Sequence, residues 1–304
     1  MQKDKREMPY HTIGQDLKDR FNGKIVKLSL DGGFTCPNRD GTKGVGGCVF
    51  CSPDGSGELS SDIPRQIELL SAKWPGAAGY IAYFQSHTNT YGDISKLKSL
   101  YLDALAHPRV VGLAIATRPD CLPPDVLDLL EEINKRTFLW IELGLQTIHE
   151  RTALACNRGY ALSVYDQAVA ELQKRGIRVV THLILGLPGE SREDMLSSVR
   201  YVTNDKDHVS AIYGIKLHLL NVVKGSPLAE TNPDYLPFSS PDDYIDLVCN
   251  LLPYIPWEVT IHRLTGDVPR KLLLSPEWSY RKRTILNGID REMNLRNLKQ
   301  GCEL

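Results

Sequence analysis

LWIELGLQ, residues 139–146, places Ile141, Leu143 and Leu145 on one side of an extended chain and Glu142, Gly144 and Gln146 on the other, because side chains alternate along a strand. The apolar side is the one to pack on helices, so the polar side faces the inside of whatever the strands build. Five more short, β-rich apolar runs recur at intervals of roughly thirty residues, the length of a strand-helix-strand unit. They are KIVKLSL (24–30), YIAYFQS (80–86), VVGLAIAT (110–117), RVVTHLILG (178–186) and AIYGIKLHLL (211–220). Helix patterns lie between them: PPDVLDLLEEINKR (123–136) with its apolar face at Val126, Leu129, Leu130 and Ile133, SVYDQAVAELQKRG (163–176) with a basic end and glycine stop, and SREDMLSSVRYV (191–202) opening on a Ser191 to Asp194 cap. Strands alternating with helices imply a parallel sheet, and six units suggest an α/β fold with a partial (β/α)6 barrel. An open doubly wound sheet is the alternative. In both, function gathers at the carboxyl edge of the strands.

The chain has 304 residues, enough for one large domain with short extensions. The expected division is an N-terminal extension (1–23), a core (24–264) and a basic, aromatic C-terminal extension (265–304) packed on the core. Lys plus Arg count 36 against 37 Asp plus Glu, so a net charge of -1 gives no global attraction to nucleic acid, and any such contact needs a local patch. No run of eighteen apolar residues occurs and the first fifteen residues are polar, which reads as cytoplasmic with no membrane contact.

CPNRDGTKGVGGCVFC (36–51) follows the first expected strand and holds three of the seven cysteines. Cys48 and Cys51 are spaced to reach one metal centre, and glycines at 41, 44, 46 and 47 let the chain bring Cys36 back to them. Zinc would need a fourth ligand, for which His87 is available. A [4Fe–4S] cluster on three cysteines leaves one iron open to a cofactor or substrate. Unmetallated thiols are the third possibility. Cys121, Cys156, Cys249 and Cys302 show no second-cluster spacing.

The stretches DGGFTCPNRDGT, GGCVFC, YFQSHTNTY, ATRPDCLP, WIELGLQT, HERTALACNRGY, HLILGLPGE, GIKLHLL, KGSPL and IHRLTGD resemble the radical S-adenosylmethionine (SAM) superfamily, and within it the Elp3-related YtqA/YhcC group, closest to its YtqA branch. The likeness runs over roughly residues 10–295, with a wider cysteine spacing than the superfamily's common CxxxCxxC. It implies a partial (β/α)6 barrel in which Cys36, Cys48 and Cys51 bind a [4Fe–4S] cluster. SAM chelates the unique iron, and one-electron reduction yields a 5′-deoxyadenosyl radical. The resemblance further implies Gln146 at SAM's ribose, with Glu142 on the same face, and Arg158 at its carboxylate. His182, Ile184 and Gly186 fall in a motif that lines the adenine, although His182 replaces a small residue and so faces either adenine or substrate. The superfamily's Gly-Gly-Glu motif is absent, and Gln85 and Thr88 stand in its place for SAM's amino group; GSGE (55–58) comes too early and reads as loop.

Lys216 and His218 in GIKLHLL share one side of a strand and suit a carboxylate or phosphate, unless Lys216 reaches to the rim and His218 packs. Unpaired, they would be costly inside a barrel, which calls for an anionic partner. Arg118, Lys224 and Arg263 lie at or beyond strand ends and add positive charge to the mouth. In WSYRKR, Trp278, Tyr280, Arg281, Lys282 and Arg283 combine stacking with charge, as single-stranded nucleic acid requires, or else form a solvated helix entrance. The group is associated with converting carboxymethylaminomethyl-uridine at the tRNA wobble position toward aminomethyl-uridine. tRNA is therefore the expected partner, with an electron donor such as flavodoxin or ferredoxin; acetyl-CoA is not expected at this length. A radical SAM enzyme of a small metabolite or peptide, and a zinc-stapled RNA-binding module without catalysis, are the rival readings.

Overall fold

Each of the six apolar runs forms a strand, and a seventh strand joins them. In the computed structural model, which describes residues 8–51, 62–203 and 212–304, the strands are β1 (Ile25–Leu30), β2 (Gly79–Phe84), β3 (Val110–Thr117), β4 (Phe138–Gln146), β5 (Arg178–Leu185), β6 (Gly214–Leu219), β7 (Val222–Val223), β8 (Thr260–Arg263) and β9 (Leu273–Ser275). β1 to β6 pair in chain order, all parallel, and β8 adds to β6 at the edge; β7 and β9 form a separate antiparallel pair. β8 has only four residues, too few for alternation to announce it, so six strands were expected where seven stand. The GSGE stretch lies outside the described residues.

The sheet curls. β2 and β6 are four strand spacings apart, roughly 19 Å in a flat sheet at ~4.8 Å each, yet Lys216 Nζ on β6 donates to the Tyr83 hydroxyl on β2 at 2.8 Å. Trp140 of β4 likewise meets the His262 ring of β8 at 5.6 Å. The result is the partial barrel that the six-unit pattern implied, with β1 and β8 as its unpaired edges. Helix α1 (Ile13–Arg20) packs on both edges and closes the floor. Its buried Ile13 and Leu17 meet the inward Ile81, Ala114, Trp140 and Val180.

Outward residues such as Leu28, Ile115, Ile141, Leu143, Leu183 and Leu217 join one core beneath the surrounding helices. These are α2 (Ile63–Ser71), α3 (Ile94–Leu105), α4 (Pro124–Asn134), α5 (Glu150–Ala155), α6 (Leu162–Lys174), α7 (Arg192–Thr203), α8 (Pro227–Thr231), α9 (Pro241–Leu251) and α10 (Lys282–Leu295). α7 starts as its sequence predicts, with Asp194 N–H donating to Ser191 Oγ at 3.1 Å and Ser191 N–H to Asp194 Oδ2 at 2.8 Å. α10 packs along α9, and Gln300 beyond it donates to the carbonyls of Pro256 and Val259. Among the described residues no helix is long and apolar enough to cross a membrane.

Candidate active site

The cysteine loop leaves the carboxyl end of β1 and is pinned to the segment after α5. Asn157 Nδ2 donates to the carbonyls of Gly47 and Val45 at 2.8 and 3.1 Å, and Val49 N–H donates to Cys156 O at 3.1 Å. Gly46 and Gly47 turn the chain with φ of 78° and 74°, which a side chain would resist. Asn38 Nδ2 donates to Cys48 Sγ at 3.7 Å. Cys48 and Cys51 are in hydrogen-bond contact. That bond, helped by Arg39 and Arg118, brings the Cys51 thiol down to about 7, and the same bond with burial pushes Cys48 well up. Cys36 is near enough for its charge to act on both Cys48 and Arg118.

This donor set fits a [4Fe–4S] cluster. Three thiols share one loop, an amide donates to one sulfur, and two guanidiniums offset thiolate charge. Among the described residues no three His, Cys, Asp or Glu side chains converge as a single ion would require.

Inside the barrel a single carboxylate organises the polar face. Glu142 is fully buried; its Oε1 accepts from Trp140 Nε1 at 2.9 Å, and its Oε2 accepts from Tyr83 OH at 2.6 Å, from His182 Nε2 at 2.9 Å and from Lys216 Nζ. Burial alone would raise its pKa, but the Lys216 ammonium and the His182 bond hold it well below the usual carboxylate range. Burial lowers Lys216 to about 7 against the pull of Glu142. Burial, with Lys216 nearby, lowers His182 to about 4, so the ring is neutral and its Nε2–H donates. The His218 ring lies 5.0 Å from that of His182, and its Nε2 is buried without a hydrogen-bond partner among the described residues. The anion that Lys216 was expected to draw from outside is therefore Glu142, within the chain.

Several expected site residues have structural partners instead. Arg158 is 2% exposed, and its guanidinium donates to the carbonyls of Leu145, Thr147 and Tyr160, with Glu150 Oε2 at 3.4 Å. It clamps the turn after β4, and these bonds compete with the role at SAM's carboxylate. Gly186 has φ of 88°, and a Cβ there would lie 2.7 Å from Phe238 and 2.8 Å from Pro237. Packing against that loop leaves no room for a side chain at this position. Trp278 lies against Tyr244, with ring centroids 6.2 Å apart, and Lys282 pairs with Asp267.

Others do reach the mouth or the interior. Gln146 ends β4 with φ of 68° and accepts from Tyr160 OH at 3.3 Å. Gln85 accepts from Ser29 Oγ at 3.2 Å. Thr88 is buried, its N–H donating to Thr35 O just before Cys36. Ile184 packs in a small cluster with Val49 and Phe50 of the cysteine loop. Arg118 makes a bidentate pair with Asp120 at 2.9 and 3.0 Å and donates to Arg158 O. Arg263 pairs with Asp267 at 2.9 Å. Arg281 and Arg283 are exposed, as is Lys224, while Arg270 and Arg281 lie over the Tyr280 ring at 4.6 and 5.5 Å. Sequence reasoning missed Lys27, Tyr83 and Trp140. Their signal was there: KIVKLSL, YIAYFQS and LWIELGLQ each put polar or hydrogen-bonding groups at alternate positions. A separate groove of about 690 Å³ lies outside the sheet between α4 and α6, lined by Lys43, Tyr91, Asp120 and Gln167 among others.

Residues 36–202 match the family model described as the Radical SAM superfamily, and residues 212–294 match the Radical_SAM C-terminal domain. The chain is 46% identical to the uncharacterized protein YtqA of Bacillus subtilis (strain 168), over 97% of this chain and 92% of that one. It is 26% identical to the tRNA uridine(34) acetyltransferase of Dehalococcoides mccartyi, over 80% of this chain and 49% of that protein. Its fold is similar to the archaeal Methanocaldococcus infernus Elp3 with an N-terminal deletion, at a TM-score of 0.68 and 18% identity, covering 91% of this chain and 64% of that chain. With three cysteines at the carboxyl end of the first strand of a partial barrel, and a family model spanning more than half its length, the chain belongs to the radical SAM superfamily, whose enzymes use a [4Fe–4S] cluster and SAM.

Proposed function

We propose that this radical SAM enzyme acts on the wobble uridine of tRNA, taking a carboxymethylaminomethyl group toward aminomethyl. The supporting observation is the kinship with the tRNA uridine(34) acetyltransferase over 80% of the chain. The fold similarity to the archaeal Elp3 is consistent with it. Cys36, Cys48 and Cys51 would hold the cluster, and Gln85, Thr88, Gln146 and Ile184 would contact SAM. When bound, cluster and SAM together supply a 5′-deoxyadenosyl radical able to take a hydrogen atom from substrate. The protein's share is to orient the carbon beside the amine and to keep water from it. The buried Glu142 network gives that cavity a fixed polar floor, because every hydrogen-bonding atom of the carboxylate is already engaged.

The tRNA would meet the exposed cations of the C-terminal segment: Arg270 and Arg281 lie over the Tyr280 ring, Arg283 follows, and the Lys224 backbone joins the same segment through its N–H to Leu272 O. This is a local patch on a chain without net positive charge. The test is anaerobic incubation of reconstituted enzyme with SAM, dithionite and tRNA bearing carboxymethylaminomethyl-uridine, followed by nucleoside analysis. Aminomethyl-uridine formed by the native chain and not by Cys48→Ala supports the reading; unchanged nucleoside with a fully loaded enzyme and intact electron supply overturns it.

A further inference from the structure

The inward face of the barrel holds more positive charge than its own carboxylates answer. Among the described residues, Lys27, Lys216 and Arg263 stand against Glu142 and Asp267 around the Tyr83 ring. Glu142 is taken by Lys216, and Asp267 is shared by Arg263 and Lys282. Lys27 forms no ion pair among the described residues; its ammonium sits 5.2 Å from the Tyr83 ring centroid, while Lys216 occupies the same ring at 4.7 Å. Lys27 lies on β1 and Arg263 on β8, the two edges that never pair, and Lys216 on β6 is in register with Arg263. Across that seam the two cations feel each other: burial lowers Lys27 against the pull of Glu142, and the Arg263 charge lowers it further. His218, two residues along β6 from Lys216, adds an imidazole nitrogen without a partner among the described residues.

The same seam is open to solvent. Ser29, next inward after Lys27 on β1, is exposed, and Lys27, Gln85, His182, His218 and Arg263 are all half-buried, whereas the outward Leu28, Leu30, Phe84, Leu183 and Leu217 are buried. Like charges crowded in a partly desolvated site are costly without a counter-charge. A planar oxyanion between an ammonium and a guanidinium relieves that cost and gains charge-assisted hydrogen bonds.

We propose that Lys27 and Arg263, facing each other across the open seam of the half-barrel, bind a carboxylate of the substrate, with His218 beside it. This rests on the tRNA reading only in naming the carboxylate as that of the carboxymethylaminomethyl group; the oxyanion site itself follows from the barrel. Lys27 and Arg263 are substrate-binding residues in this account, and the Glu142, Lys216 and Tyr83 group is the floor that positions them.

The site is tested by calorimetric titration of reconstituted, SAM-saturated enzyme with acetate and, separately, with dimethyl phosphate. The native chain and Lys27→Arg bind one acetate per chain, and Lys27→Met weakens it at least tenfold. Ser29→Asp places a carboxylate in the seam from an exposed position whose hydroxyl donates to Gln85 Oε1 at 3.2 Å and has no core role, so it folds and abolishes acetate binding even where Lys27→Met does not fold. Acetate binding indifferent to Lys27→Met and Ser29→Asp overturns the proposal, and so does absence of acetate binding by the SAM-saturated native chain. Preference for dimethyl phosphate overturns the carboxylate in favour of a nucleic-acid backbone. Lys27-dependent acetate binding in an enzyme that leaves the tRNA nucleoside unchanged would overturn the tRNA reading and leave this site standing.

Discussion

Glu142 is the residue on which the interior depends. Removing it leaves the Lys216 ammonium buried without its counter-ion, at a cost of about 3–5 kcal/mol. Glu142→Leu should lower the denaturation midpoint accordingly, and Glu142→Leu with Lys216→Met should recover much of the loss; equal midpoints for single and double variants would show that the pair is not coupled. His182 gives this site a pH signature. Its pKa falls from 6.5 to about 4 on folding, so the unfolded chain takes up a proton first as pH drops. The stability present above 6.5 is lost progressively down to about 4, by about 3 kcal/mol. Glu142, held low, acts in the same direction at lower pH. Comparing denaturation at pH 7.5 and 4.5, His182→Gln should show a smaller acid loss than the native chain. An identical loss would contradict this assignment.

Among the elements, α1 does what a closed barrel's last strand pair would do. It plugs the floor beneath the seam with Leu17, 2% exposed, so Leu17→Ala should cost about 2–5 kcal/mol in chemical denaturation, whereas a loss under 1 kcal/mol would show the plug to be peripheral. The strands and three principal helices were legible in the sequence because each is long enough to show its period. β8 was not, having four residues. At the site, alternation told which face Glu142, Lys216 and His182 take but could not pair them, since Tyr83, Glu142 and Lys216 are brought together by curl across five strands. Lys27 and Ser29 were legible by the same rule, as inward residues of β1. The direction of the Trp278 ring was not legible: an aromatic residue in a basic stretch says nothing of whether its ring turns outward or, as here, lies against Tyr244.

At the scale of the whole molecule, a near-neutral chain presents a positively charged interior and a basic patch. Neutralising two exposed cations of that patch, Arg281→Gln with Arg283→Gln, should weaken tRNA binding across sequences and make the plot of log affinity against log salt shallower by about 1.5. An unchanged slope would place the tRNA elsewhere on the surface. The fold, the cysteine loop and the family agree on the cofactors, and the substrate is what distinguishes this chain's chemistry from that of other members.

The most direct measurement is 5′-deoxyadenosine formed under anaerobic reduction with SAM, with and without tRNA bearing carboxymethylaminomethyl-uridine, by the native chain and Cys48→Ala. The account predicts formation by the native chain alone, increased by that tRNA and matched by the nucleoside converted. Equal formation by Cys48→Ala, or formation by the native chain that this tRNA neither increases nor matches with converted nucleoside, would contradict it.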